Sequence, residues 1–103
     1  MDKSWAQIGK SEEFLEDKVL IRRINFGGEC AIVRHEGKLY SFGSVCPHQN
    51  MPFDGATVTN CAITCRMHGY RFSLKTGDCE NVGGYGMPLF RVREVAGRVE
   101  VEV

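Results

Sequence analysis

The sequence predicts an all-β chain built from antiparallel sheets. Three observations carry this. Short runs of alternating or β-branched residues recur, glycine-bearing turn signals separate them, and almost nothing repeats with a helical period.

The candidate strands, in order, are Trp5–Ile8, Lys18–Ile24, Glu29–Arg34, Lys38–Phe42, Ala62–Thr64, Arg71–Leu74, Phe90–Val95 and Arg98–Val103. In the last, Val99, Val101 and Val103 alternate with Glu100 and Glu102, so one face can be buried while the other meets water. Gly27-Gly28, Glu36-Gly37 and Ala96-Gly97 supply hairpin turns, because glycine reaches the positive φ such turns need. Ser11-Glu12-Glu13-Phe14 predicts one helical turn with Ser11 as its N-cap and acidic residues at its positive end. From Ser44 to Pro88 glycines, prolines and most of the cysteines collect, and the strand runs shorten.

At 103 residues the chain suits one compact domain, residues 1–103. Lys plus Arg and Asp plus Glu both total 13, leaving no broad field for a polyanion, so nucleic acid is not an expected partner. No apolar run approaches the roughly 18 residues of a membrane span, and the N-terminus has no apolar segment, so the expectation is a soluble, cytoplasmic protein with no membrane partner. Five cysteines, an odd number without a secretion signal, point to metal ligation or buried thiols rather than a disulfide framework.

Two of the five have a specific context. Cys46-Pro47-His48 and Cys65-Arg66-Met67-His68 are short loops that each offer one thiolate and one imidazole. A structural zinc site would normally pair Cys with Cys and His with His at characteristic spacings, whereas here each loop mixes the two types. With Gly69 after the second loop, this pattern resembles the Rieske family: Cys-x-His, an interval, then Cys-x-x-His-Gly. Gly55, Phe72, Gly77-Asp78 and a third loop, Gly83-Gly84-Tyr85-Gly86-Met87-Pro88, extend the likeness along the chain.

The resemblance implies a Rieske fold, with a small cluster-binding β subdomain at about residues 44–88, and one [2Fe-2S] cluster held by Cys46, His48, Cys65 and His68. It also implies that the two cysteines share one iron and the two histidines the other. Replacing two thiolates by imidazoles raises the potential above that of a four-cysteine cluster. The implied role is that of a one-electron carrier and not an enzyme, taking electrons from a flavin-dependent NAD(P)H reductase and passing them to a terminal oxygenase, as the ferredoxins of aromatic-ring dioxygenases do. A stand-alone ferredoxin, or a small reductase subunit such as that of nitrite reductase, is the alternative with the same cluster. A zinc-stabilised interaction module and an iron–sulfur sensor are the alternatives of other classes.

The chain departs from the family pattern at Arg66, where proline is usual, and at Asn50, where glycine is common. Met51 and Met67 stand where the high-potential branch has a disulfide, and Tyr70 and Phe72 where it has serine and tyrosine hydroxyls bonded to cluster sulfur. These changes imply a potential toward the low end of the family range of about −150 to +300 mV.

Of the remaining chemistry-bearing residues, Cys30, Cys61 and Cys79 lack partners at motif spacing and read as small buried hydrophobes. His35, before the Glu36-Gly37 turn, reads as a solvated turn residue. Met51, Phe53, Met67, Tyr85 and Met87 collect around the loops, either as an apolar docking patch or as shielding for the cluster.

Overall fold

The structure, a computed structural model, describes residues 4–24, 28–47, 50–66 and 69–102. Among the described residues ten strands follow one another: β1 (Trp5–Lys10), β2 (Leu20–Arg23), β3 (Glu29–His35), β4 (Lys38–Gly43), β5 (Thr57–Thr59), β6 (Ala62–Thr64), β7 (Arg71–Ser73), β8 (Leu89–Phe90), β9 (Val92–Val95) and β10 (Arg98–Glu102). They form three antiparallel sheets, in the orders β1-β10-β9, β2-β3-β4-β8 and β5-β6-β7. The all-β prediction holds. No helix among the described residues is long and apolar enough to cross a membrane.

The central strand β3 explains how the sheets stack. Because successive side chains of a strand point to opposite faces, Cys30 and Ile32 enter one core while Ala31 and Val33 enter the other. The first core joins Ile8, Phe14, Leu39, Val99 and Val101, and so packs the β1-β10-β9 sheet. The second joins Phe42, Phe53, Val58, Ile63, Phe72 and Leu74, and so packs the β5-β6-β7 hairpins on the opposite face. Both faces of β3 are covered, which is why its residues from Cys30 to Val33 are all fully buried.

The turn chemistry is as expected at Glu36-Gly37 (φ 52° and 80°) and Ala96-Gly97 (φ 51° and 79°), where both central residues take the left-handed conformation of a type I′ hairpin. Gly27 and Val103 lie outside the described residues.

Three expectations need correction. Phe90–Val95 is not one strand: β8 pairs with β4 through Ser41 and Phe42, whereas β9 pairs with β10, so the chain changes sheets at Arg91. Strand β5 was not predicted, since Thr-Val-Thr is too short to establish a period and is held by pairing with β6. The helical turn exists as a 3-10 turn over Ser11–Glu13, but its cap is Lys10: the Glu13 carboxylate accepts the Lys10 N–H at 2.9 Å, while Ser11 lies inside the turn.

Candidate metal centre

The loop that carries Cys46 leaves β4 at Gly43. Val45 and Pro52 form an isolated antiparallel bridge across its neck. Inside it the Cys46 N–H donates to the Met51 carbonyl at 2.8 Å, and the Asn50 N–H donates to the Cys46 carbonyl at 2.8 Å. Asn50 takes φ 57°, the left-handed conformation that asparagine tolerates better than most residues, so it can hold a position where glycine would otherwise serve.

The second loop joins β6 to β7 and is closed the same way. The Cys65 N–H donates to the Tyr70 carbonyl at 2.7 Å, and Gly69 supplies the left-handed turn residue at φ 67°. Exposed Arg66, in place of proline, brings Nη2 to 3.8 Å from the Met51 sulfur of the first loop. His48, Met67 and His68 lie outside the described residues.

The two cysteines meet in one core. Cys46 is fully buried and Cys65 is 3% exposed, neither is in a disulfide, and both belong to the cluster of Phe42, Phe53, Phe72 and Met87. Phe53 stands edge-on between Phe42 and Phe72, with centroids 5.4 and 6.0 Å away. Two buried, unbridged thiols in two loops of matching closure suit ligation of iron, because a thiolate is a soft ligand that needs a cation beside it when removed from water. The residues present therefore fit an iron–sulfur group.

A third loop covers this side. Asp78 bridges Gly86, the Cys79 N–H donates to the Tyr85 carbonyl at 3.0 Å, and the Met87 N–H donates to the Gly77 carbonyl at 2.8 Å. Gly77 has φ 83°, and a Cβ there would lie 2.4 Å from the Met87 carbonyl oxygen, so only glycine allows the loop to close this tightly. Tyr85 packs edge-on against Tyr70 at 5.3 Å, and desolvation together with the neighbouring Tyr85, Cys79 and Cys46 raises the Tyr70 phenol above its ordinary range. Asn81 ties this loop to the second: its Nδ2 donates to the Gly69 carbonyl at 3.0 Å and its Oδ1 accepts the Arg71 N–H at 3.1 Å. Of the apolar set named from sequence, Phe53 and Met87 are buried, Met51 is half-buried and Tyr85 is 38% exposed. Phe53 and Met87 are thus shielding, and of the described members of the set Tyr85 is the one that presents a large exposed apolar face.

His35 is not a solvated turn residue. It ends β3 on the same face as Ala31 and Val33, is 7% exposed, and uses both ring nitrogens: Nδ1 lies 2.6 Å from Asp17 Oδ1, and Nε2 accepts the Cys61 N–H at 3.1 Å. Glu16, Asp17 and His35 form the one group of carboxylates and imidazole close enough for a metal ion among the described residues. Its atoms are already engaged, however, because the Glu16 carboxylate also accepts the Glu36 and Gly37 amides. Cys61 in turn places its thiol 3.4 Å from the Tyr40 hydroxyl, and this hydrogen bond, with burial and the thiol's own charge, pushes the Tyr40 phenol up to about 12. Cys30 is the buried thiol foreseen, pushed up by burial, whereas Cys61 and Cys79 are only partly buried and hydrogen-bonded. Sequence spacing could not reveal these links, since His35 and Cys61 stand 26 residues apart.

The chain is similar to known proteins in sequence and in fold. Residues 4–90 match the model of the Rieske [2Fe-2S] domain. The ferredoxin component of the alkene monooxygenase system of Xanthobacter autotrophicus is 28% identical over 72 residues, 69% of this chain, and the matched part is 59% of that relative. The chain spans less still of longer relatives, 11% in one. Among solved structures, the candidate NADH-dependent nitrite reductase small subunit of Mycobacterium tuberculosis superposes with a TM-score of 0.92 at 16% identity, covering 100% of this chain and 97% of that one. A structure of the complex of reduced oxygenase and oxidised ferredoxin in carbazole 1,9a-dioxygenase gives 0.85 at 19% identity, covering 95% and 92%. With the family model matched over most of its length and both buried cysteines on the loops where the motif requires them, the chain belongs to the Rieske [2Fe-2S] domain family and binds a [2Fe-2S] cluster.

Proposed function

We propose that this chain is a cytoplasmic one-electron carrier, folded as a single Rieske domain over residues 1–103 with residues 44–88 as its cluster-bearing part, and not an enzyme by itself. Cys46, His48, Cys65 and His68 are the proposed ligands. The observation that carries the reading is the pair of buried, unbridged cysteines on two loops closed by the same amide-to-carbonyl bond.

When bound, the cluster supplies one reversible electron at a potential set by its mixed ligands and their surroundings. The protein's part is to exclude water and fix the loops. Phe53, Phe72 and Met87 surround the thiols with apolar side chains, which disfavours added negative charge, and Phe72 offers no hydroxyl to stabilise it. Both features support a potential toward the low end of the family range.

The proposed donor is a flavin-dependent NAD(P)H reductase and the proposed acceptor a terminal oxygenase, a reading supported by the alkene monooxygenase and carbazole dioxygenase relatives. Electron paramagnetic resonance of the dithionite-reduced protein is the test. A signal with average g below that of an all-cysteine cluster is expected, and Ala at either His48 or His68 abolishes it. A native signal in either variant would overturn the ligand set. Reduction by reductase and NAD(P)H, followed by reoxidation on adding the oxygenase, tests the partners.

A further inference from the structure

The turn between β5 and β6 is built in an unusual way. Asn60 and Cys61 take φ 49° and 59°, a pair of left-handed residues in a two-residue hairpin where Asn-Gly is the relaxed choice. A cysteine held there is strained, and such a residue persists only when its surroundings over-determine it.

All three polar groups of Cys61 are engaged. Its N–H donates to His35 Nε2 at 3.1 Å, its carbonyl accepts the Leu74 N–H at 2.9 Å, and its thiol lies 3.4 Å from the Tyr40 hydroxyl. His35 belongs to β3 and Tyr40 to β4, so two strands of the central sheet grip one residue of the hairpin that leads to Cys65. The His35 ring cannot swing away freely, because Asp17 holds its other nitrogen at 2.6 Å. Accepting at Nε2 fixes the tautomer with the proton on Nδ1, directed at the Asp17 carboxylate.

We propose that His35 is a positioning residue for the second ligand loop: by accepting the Cys61 amide proton it pins the β5–β6 turn to the central sheet, and β6 carries that constraint to Cys65. Only the three residues Ala62–Thr64 separate Cys61 from Cys65, and all three are paired on both sides, with β5 and with β7. A short, doubly paired strand transmits a displacement of one end to the other rather than absorbing it. This inference rests on Cys65 being a cluster ligand.

The test compares the cluster-loaded wild type with His35→Ala and His35→Gln. Gln sets its amide oxygen the same four bonds from Cα as Nε2, so it restores the acceptor while giving up the imidazole. Three quantities are read: hydrogen exchange of the 57–66 segment by mass spectrometry, the linewidth of the reduced paramagnetic signal, and the midpoint potential. In His35→Ala the segment exchanges about tenfold faster or more, the signal broadens and the midpoint shifts, and Gln brings all three back toward wild type. Faster exchange with an unchanged signal and midpoint would overturn the proposal, because the turn would then open without moving Cys65. Unchanged exchange would overturn it as well. If His35→Ala yields no folded protein, His35→Gln decides: wild-type behaviour in all three upholds the proposal, and rapid exchange beside a wild-type signal and midpoint rejects it. A wild type lacking the mixed-ligand signal is a separate outcome, since it removes the ligand assignment and leaves the exchange comparison standing.

Discussion

Cys46 and Cys65 occupy equivalent local positions: each gives its amide proton to the carbonyl five residues further on, Met51 at 2.8 Å and Tyr70 at 2.7 Å. Two segments of different sequence thus form loops of the same closure and bring their thiols into one apolar core. Asn50 in the first loop and Gly69 in the second supply the left-handed residue that each closure needs.

The core around those thiols contains Phe72, fully buried and edge-on to Phe53. Phe72→Tyr adds a hydroxyl where the high-potential branch has one. The expected result is a higher midpoint in a redox titration, with a stability cost of about 1–3 kcal/mol if the hydroxyl gains no partner. An unchanged midpoint would show that the hydroxyl does not act on the cluster.

Gly77→Ala forces a Cβ to within 2.4 Å of the Met87 carbonyl oxygen, at φ 83°. A loss of about 2–4 kcal/mol is expected, a drop in Tm of roughly 10–20 °C for a domain of this size. Gly84→Ala is the control, since it has φ 90° but open space around it, and should cost only about 1 kcal/mol. Equal losses for the two would mean that the steric contact is relieved.

Arg34 on β3 pairs with Glu94 on β9 at 2.9 Å, and also donates to the Phe14 and Ser11 carbonyls. The hydrogen bond from Arg34 holds the Glu94 carboxyl below its ordinary value of 4.5. A carboxyl lowered on folding stabilises above its unfolded value and loses that contribution as pH falls from about 4.5 through the folded value. Glu94→Gln should therefore flatten the acid limb of stability against pH by no more than about 1 kcal/mol, since the pair is part-exposed and screened. Chemical denaturation from pH 3 to 7 measures it, and an acid limb identical to wild type would assign the stabilisation to Arg34's carbonyl contacts instead.

Tyr40, pushed up to about 12 chiefly by its bond to the Cys61 thiol, keeps its proton after ordinary tyrosines have ionised. An acid raised on folding stabilises fully below its unfolded value near 10 and loses that contribution as pH rises toward 12. Cys61→Ala should bring the phenol back toward 10, visible as an earlier ionisation in an ultraviolet pH titration. An unmoved titration would place the cause in burial alone.

Much of this molecule is legible in its sequence because the signals are local. Period-two alternation marks β10, and Glu36-Gly37 and Ala96-Gly97 mark their turns, since strand and turn preferences act over two to five residues. The cysteine positions are legible through their spacing. What is not legible depends on pairing at a distance. Phe90–Val95 reads as one run, but its two halves bond to different sheets on either side of Arg91, and nothing in the run encodes the switch. His35 looks like a residue before a turn, and only the approach of Cys61 and Asp17 makes it a buried group. Asn81 has no motif at all, and its clamp on Gly69 and Arg71 exists because a loop ten residues later folds back.

The pairing of β1 with β10 sets Trp5 opposite Glu102. Almost the whole chain must be traversed to make that contact, whereas β5, β6 and β7 find one another through short connections. Closing so long a loop is entropically late, so the hairpin region should organise early and the β1-β10-β9 sheet last, with folding in milliseconds to seconds as for other β-topologies of high contact order. The lone tryptophan, stacked under the Arg93 guanidinium at 4.0 Å, reports on that final event. Its fluorescence in stopped-flow refolding should change in the slowest phase, after the ligand loops have taken shape.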